Sequence, residues 1–170
     1  MDPFLIILRT VHVVGGIFWA GAILFVVLFL EPAVRDAGPD GAKVMLALRK
    51  RRYLEVVPPV AFFTLVSGFL LYWRIFGRFH PGAGASRAEL ALALGGLASL
   101  AAFVIGVTLL RPSALRIGAL GTELAEAPEG RKAALQEEIG HLRVRMRRSG
   151  RWVATLLGVA VLTMAVGRYL

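Results

Sequence analysis

The sequence predicts an all-α integral membrane protein, a four-helix bundle, and three observations carry that expectation. Four segments, residues 3–30, 58–76, 87–110 and 152–170, have the length and apolar content of bilayer spans, which take about 20 mainly apolar residues each. The chain is 57% hydrophobic, above the roughly 45–50% usual for a soluble domain. Its Lys and Arg residues crowd into two of the three connections between the spans, as the positive-inside rule describes for cytoplasmic loops.

The first span opens at Asp2 and Pro3, an N-cap followed by an N1 proline. It begins without a basic region and stays apolar to Leu30, well past the ~7–15 residues of a signal-peptide core, so it reads as a retained helix. Residues 58–76 form the second span, in which Pro58-Pro59, Thr64, Ser67 and Gly68 are candidates for a bend or break of the kind that builds transport sites. The third follows the turn Pro81-Gly82-Ala83-Gly84 and opens with Ser86-Arg87-Ala88-Glu89, the spacing of a capping box. The fourth runs from Trp152 to the C-terminus. One membrane domain over residues 1–170 accounts for the whole chain.

Fifteen of the 20 basic residues lie between spans one and two or between spans three and four. Arg9, Arg74, Arg78, Arg87 and Arg168 fall on the other side, which predicts outer termini and cytoplasmic basic connections. Tyr53 and Trp152 then mark the inner interface, and Tyr72, Trp73 and Tyr169 the outer one, leaving Trp19 in mid-membrane. Between spans three and four, Leu115, Leu120 and Leu124 on one arm and Leu135, Ile139, Leu142 and Met146 on the other recur at helical spacing around Ala127-Pro128-Glu129-Gly130. Residues 111–151 are therefore read as a cytoplasmic helical hairpin. Its Arg143 to Arg148 run faces anionic lipid headgroups.

The net charge of +9 has this topological explanation, and nucleic acid is not an expected partner. The chain has no cysteine, so thiolate metal sites and covalent haem attachment are excluded.

His12 is the most informative residue in the apolar segments. It lies ~13 Å below the start of the first helix at 1.5 Å per residue, where a polar group needs a partner or a ligand. Leu8, Arg9, Gly15, Gly16 and Trp19 share its face. A b-type haem suits these parts, with His12 as axial ligand, the glycines admitting the macrocycle, and Arg9 and Arg168 pairing propionates. Met164, about 9 Å deep from the other end of the chain, and His80, just beyond the second span, are candidates for the second ligand; His/Met is a known haem pairing. The alternative is that Gly15-Gly16 serves helix packing and His12 bonds a neighbouring helix. Copper is another candidate, because His12, Met164 and His80 supply its ligand types, although the chain holds only 3 His and 4 Met. His141 falls on the hairpin, on the far side from His12.

The stretch His12-Val-Val-Gly-Gly-Ile-Phe-Trp19-Ala-Gly21 resembles the first helix of the HemJ-type protoporphyrinogen oxidases, with a histidine and, seven residues on, a tryptophan. Arg51-Arg52-Tyr53 followed by Pro59, Thr64 and Gly68 resembles that family's second helix. Similar patterns run through the membrane domain of copper-resistance protein D (CopD), and the ending Met164-Ala-Val-Gly-Arg168-Tyr169 looks like small proteins of that broader group. The resemblance implies a four-helix membrane fold of the bacterial inner membrane with b-haem at His12 and, for the HemJ type, porphyrinogen oxidation. The second half departs from the HemJ pattern, with no histidine or lysine in its third span and a longer hairpin. The functional expectation is a haem-binding protein of electron transfer or porphyrinogen oxidation, with a non-catalytic subunit of a larger complex, or a copper-handling protein, as alternatives. Its expected partners are the lipid bilayer and, through small-residue faces, further copies or other membrane subunits.

Overall fold

A computed structural model describes residues 2–167 and 169–170 of the chain. They form helices α1 (Pro3–Asp36), α2 (Pro39–Lys50), α3 (Tyr53–Phe76), α4 (Arg87–Glu126) and α5 (Glu129–Gly167), and α1, α3, α4 and α5 are long and apolar enough to cross a membrane. Large apolar side chains cover the outside, Ile17 at 71% and Leu162 at 66% exposure among them. Such a surface is stable in hydrocarbon, where exposed leucine and isoleucine are ordinary solvation. The protein is a multi-pass helical membrane bundle.

Helix α1 packs along α3 and α4 along α5, and thinner seams between α3 and α4 and between α1 and α5 close the ring. Lipid tails are as apolar as leucine, so close backbone approach rather than water exclusion holds such helices together. The shared core accordingly combines Ala20, Ala61 and Ala102 with Trp19, Leu65, Val153 and Leu157. Trp19 meets Phe103 edge-on at 6.4 Å.

The two helix pairs use the same devices at matching positions. Between α1 and α4 the offset is 80 residues: Gly15-Gly16 match Gly95-Gly96, and Pro32 matches Pro112. Between α3 and α5 it is 99: Thr64 matches Thr163, Gly68 matches Gly167, and Tyr53 matches Trp152. Contacts follow the same correspondence. A Cβ on Gly15 would strike Thr64 Oγ1, and one on Gly95 would lie 2.7 Å from Thr163 Oγ1. Thr64 and Thr163 each donate to the carbonyl four residues back, at 2.8 and 2.9 Å. The two helix pairs thus repeat the same packing devices at corresponding positions.

A π-helical turn occurs at the same place in both halves, Val26–Leu30 in α1 and Gly106–Leu110 in α4. Each precedes a residue followed by proline, Glu31-Pro32 and Arg111-Pro112. The proline has no N–H and its ring crowds the carbonyl four residues earlier. The turn widens in response, and the N–H groups of Glu31 and Arg111 donate to Val26 and Gly106, five residues back.

Helical structure extends further than the expected spans on two sides and less far on one. α1 continues past Leu30 to Asp36 because the widened turn accommodates Pro32. α3 starts at Tyr53 and runs through Pro58 and Pro59, so the prolines do not interrupt it. α5 ends at Gly167, and Arg168 lies outside the described residues. Gly38, at φ 59°, turns the chain from α1 into α2, a left-handed conformation that suits glycine. Beyond the apolar part, α4 and α5 continue as the expected hairpin, with Leu120, Leu135 and Ile139 buried and Leu124 and Leu142 packed on them. Leu115 is instead exposed and Met146 half-buried outside that cluster.

Candidate functional site

His12 sits in the seam between α1 and α3. Its Nδ1 lies 2.9 Å from the Thr64 carbonyl oxygen. A carbonyl can only accept, so Nδ1 carries a proton, and in the neutral imidazole Nε2 keeps its lone pair. Gly68 makes the seat: a Cβ there would come within 2.7 Å of His12 Cε1 and 2.9 Å of Nδ1, with Nε2 more distant at 3.7 Å. The ring therefore occupies the volume that any larger residue at 68 would claim.

The polar groups of α3 around this seat satisfy one another. Thr64 Oγ1 donates to the Val60 carbonyl at 2.8 Å, and Ser67 Oγ reaches the Phe63 and Thr64 carbonyls at 2.7 and 3.0 Å. Thr64 and Ser67, candidates for a broken-helix transport site in the sequence, thus return their hydroxyls to their own helix. The Thr64 carbonyl serves both Ser67 and His12, so His12 is tied to a rigid, hydrogen-bonded stretch of helix.

Of the other expected site residues, Gly15 lies against Thr64 beside this seat and Gly16 within van der Waals reach of the Thr64 methyl group. Arg9 is exposed one turn away on the same stripe of α1, while Trp19 turns into the core at 4% exposure. Met164 lies in the other pair: a Cβ on Gly95 would meet its Cγ and Cε at 3.1 and 3.2 Å. His80 is exposed in the connection between α3 and α4, where its Nδ1 is 3.3 Å from the Pro81 carbonyl oxygen. His12, Gly15, Gly16 and, one turn away, Arg9 therefore share one neighbourhood, and Met164 and His80 sit elsewhere against partners of their own. Among the described residues, no group of three or more His, Asp, Glu or Cys comes together as a metal site.

One cluster escaped the sequence reading. Glu89, only 2% exposed, accepts from Arg78 Nε at 2.7 Å and Nη2 at 2.5 Å, and from Tyr72 OH at 3.3 Å. Its own backbone N–H donates to the Ser86 hydroxyl oxygen at 3.1 Å, so the expected capping box is present on that side. The paired carboxylate holds the Arg78 guanidinium above its ordinary pKa. Tyr72 is one turn beyond Gly68, so this lock lies roughly 6 Å along α3 from the His12 seat and ties the first hairpin to the second. The available signal was Glu89 itself, a lone carboxylate at the head of an apolar segment, with Arg78 at sequence distance 11. No family model, curated protein or solved structure matches this chain, so the chemistry of the site rests on its own geometry.

Proposed function

We propose that this chain is a b-type haem-binding membrane protein of one-electron transfer, with His12 as the axial ligand. One observation carries the reading: His12 donates Nδ1–H to a backbone carbonyl and so presents Nε2 as a lone pair. That second interaction is the one that orients and enriches histidine ligands in metal sites. The donor set fits a group needing one strong protein ligand better than copper, for which no cluster of ligands gathers among the described residues. Haem supplies the electron chemistry when bound. The residues of this chain do the rest: Thr64 fixes the imidazole, Gly15 and Gly16 let α1 approach α3 closely enough for that bond, and Arg9 offers a cation to a propionate.

Met164 packs toward Gly95 and His80 lies beside Pro81, so the reading assigns one protein ligand. The sorting of 15 of 20 basic residues supports outer termini and a cytoplasmic hairpin. The residues of the first two spans support a relative of the HemJ and CopD scaffold.

A second reading has one observation in its favour. Leu92 of α4 is the counterpart of His12, and it lies against Gly167 as His12 lies against Gly68. His12 is then a packing residue of a non-catalytic subunit. Absorption spectra of the detergent-purified protein, oxidised and dithionite-reduced, with pyridine haemochrome quantification, separate the two. Near-stoichiometric b-haem that His12→Ala abolishes supports the first; a featureless spectrum, or a Soret band that survives His12→Ala, overturns it.

A further inference from the structure

At the hairpin end of the bundle, α5 carries a cleft of about 410 Å³ lined by Val144, Arg147, Arg148, Arg151, Trp152 and Thr155. These positions follow the i, i+3, i+4, i+7 spacing of a single helix face. The charges here differ from those farther out on the hairpin. There, Arg116 pairs with Glu138 at 2.9 Å, Arg131 with Glu123 at 2.5 Å and Lys132 with Glu129 at 2.6 Å. Among the described residues, Arg147, Arg148 and Arg151 have no carboxylate within ion-pair distance; Glu31, at the end of the α1 π-turn, is in electrostatic reach of Arg147 and Arg151. Two of the three cleft guanidiniums thus share one carboxylate, which Arg35 of α1 also reaches, and the cleft retains a net positive charge.

The surroundings identify the phase from which a ligand comes. Trp152, 58% exposed at the cleft, stands where the apolar segment begins, the position an indole takes at headgroup level. The same stripe continues beyond Thr155 as Val159, Leu162 and Val166, all exposed. A molecule with a phosphate at the arginines and hydrocarbon along this stripe matches both parts. We infer that the Arg147–Arg148–Arg151 cleft binds the phosphate of an anionic glycerophospholipid, with its acyl chains laid along Val159 and Leu162. Guanidiniums offer forked donors to a phosphate, and anionic headgroups are the abundant phosphates at that depth. The inference stands apart from the haem reading.

Native mass spectrometry of the detergent-solubilised full chain tests it, with phosphatidylglycerol, phosphatidylcholine and inorganic phosphate as probes. The wild-type protein is expected to retain one phosphatidylglycerol at a concentration about tenfold below that needed for phosphatidylcholine, a difference that inorganic phosphate does not erase. Substituting Arg147→Gln, Arg148→Gln and Arg151→Gln together is expected to abolish the preference. Removing three exposed charges of α2 and the turn after it, by Lys43→Gln, Lys50→Gln and Arg51→Gln, is expected to leave it within threefold. Equal retention of the two lipids by the wild type overturns the proposal without reference to any variant. So does equal loss in the two triple variants, which reports diffuse charge, and so does full competition by inorganic phosphate, which reports a soluble ligand.

Discussion

Gly68 and Gly167 occupy the same place in the two halves of the bundle, yet one methyl group on each should have unequal consequences. At Gly68 the new Cβ would stand 2.7 Å from His12 Cε1, where carbon contacts are optimal at about 3.5–4.0 Å. The imidazole must retreat by about 0.8 Å, which stretches its 2.9 Å contact with the Thr64 carbonyl past hydrogen-bonding range. Overpacking of this kind costs about 1–3 kcal/mol, and a lost interhelical hydrogen bond in a membrane protein about 0.6 kcal/mol. The better helix propensity of alanine offsets about 1 kcal/mol. The net is a loss of roughly 0.6–2.6 kcal/mol, or about 1–10 °C in Tm for a chain of this size. At Gly167 the nearest atoms, on Ala91 and Leu92, are 3.5 Å from the added carbon, an ordinary contact, so the change should stay within about 0.5 kcal/mol. Thermal unfolding in detergent, followed by circular dichroism, reads the difference. In a His12→Ala background the cost of Gly68→Ala should vanish, because the two groups compete for one volume. Equal Tm values for Gly68→Ala and Gly167→Ala, or a cost that persists without His12, would refute the seat described here.

On the proposed haem reading, the same correspondence makes a gain-of-function experiment possible: Leu92→His places an imidazole opposite Gly167, and if a glycine seat is what makes the ligand, haem content should double relative to the wild type. An unchanged ratio by pyridine haemochrome would assign ligand capacity to features special to the first hairpin. Glu89→Gln should lower Tm by weakening its forked contact with Arg78, and Arg78→Gln should lower it further by leaving a buried carboxylate without its cation; thermal scans in which neither variant moves would show the lock to be idle. Leu120→Ala, at a fully buried position in the hairpin, should cost about 2–5 kcal/mol. Hydrogen exchange should then accelerate in residues 111–146 while the spans stay protected, and uniform acceleration would mean that hairpin and bundle unfold as one unit.

The membrane-bundle architecture was readable from hydropathy and basic-residue sorting because lipid imposes those constraints segment by segment. The hairpin was readable for a similar reason, since leucines at helical spacing in a polar stretch have only each other to cover them. The repeated packing devices were also present in the sequence, in Gly15-Gly16 and Gly95-Gly96 and in the paired prolines, but the lipid-facing side chains around them differ between the halves. Helical structure reaches beyond the apolar spans where proline does not stop it: Pro58 and Pro59 fall inside α3, and Pro32 is carried by a widened turn.

At the site, the sequence singled out His12 because a polar ring in an apolar helix needs a partner, a demand set by solvation alone. It could not name that partner. Thr64 lies 52 residues away, and only the packing of α1 on α3 decides that its carbonyl rather than another takes the Nδ1 proton. The same holds for Met164, whose depth was calculable from helix rise, whereas its place against Gly95 depends on which helices are neighbours. Composition and periodicity report how each segment meets its solvent. Which segments meet each other is a property of shape complementarity between glycine-lined faces, and that exists only once the helices are assembled.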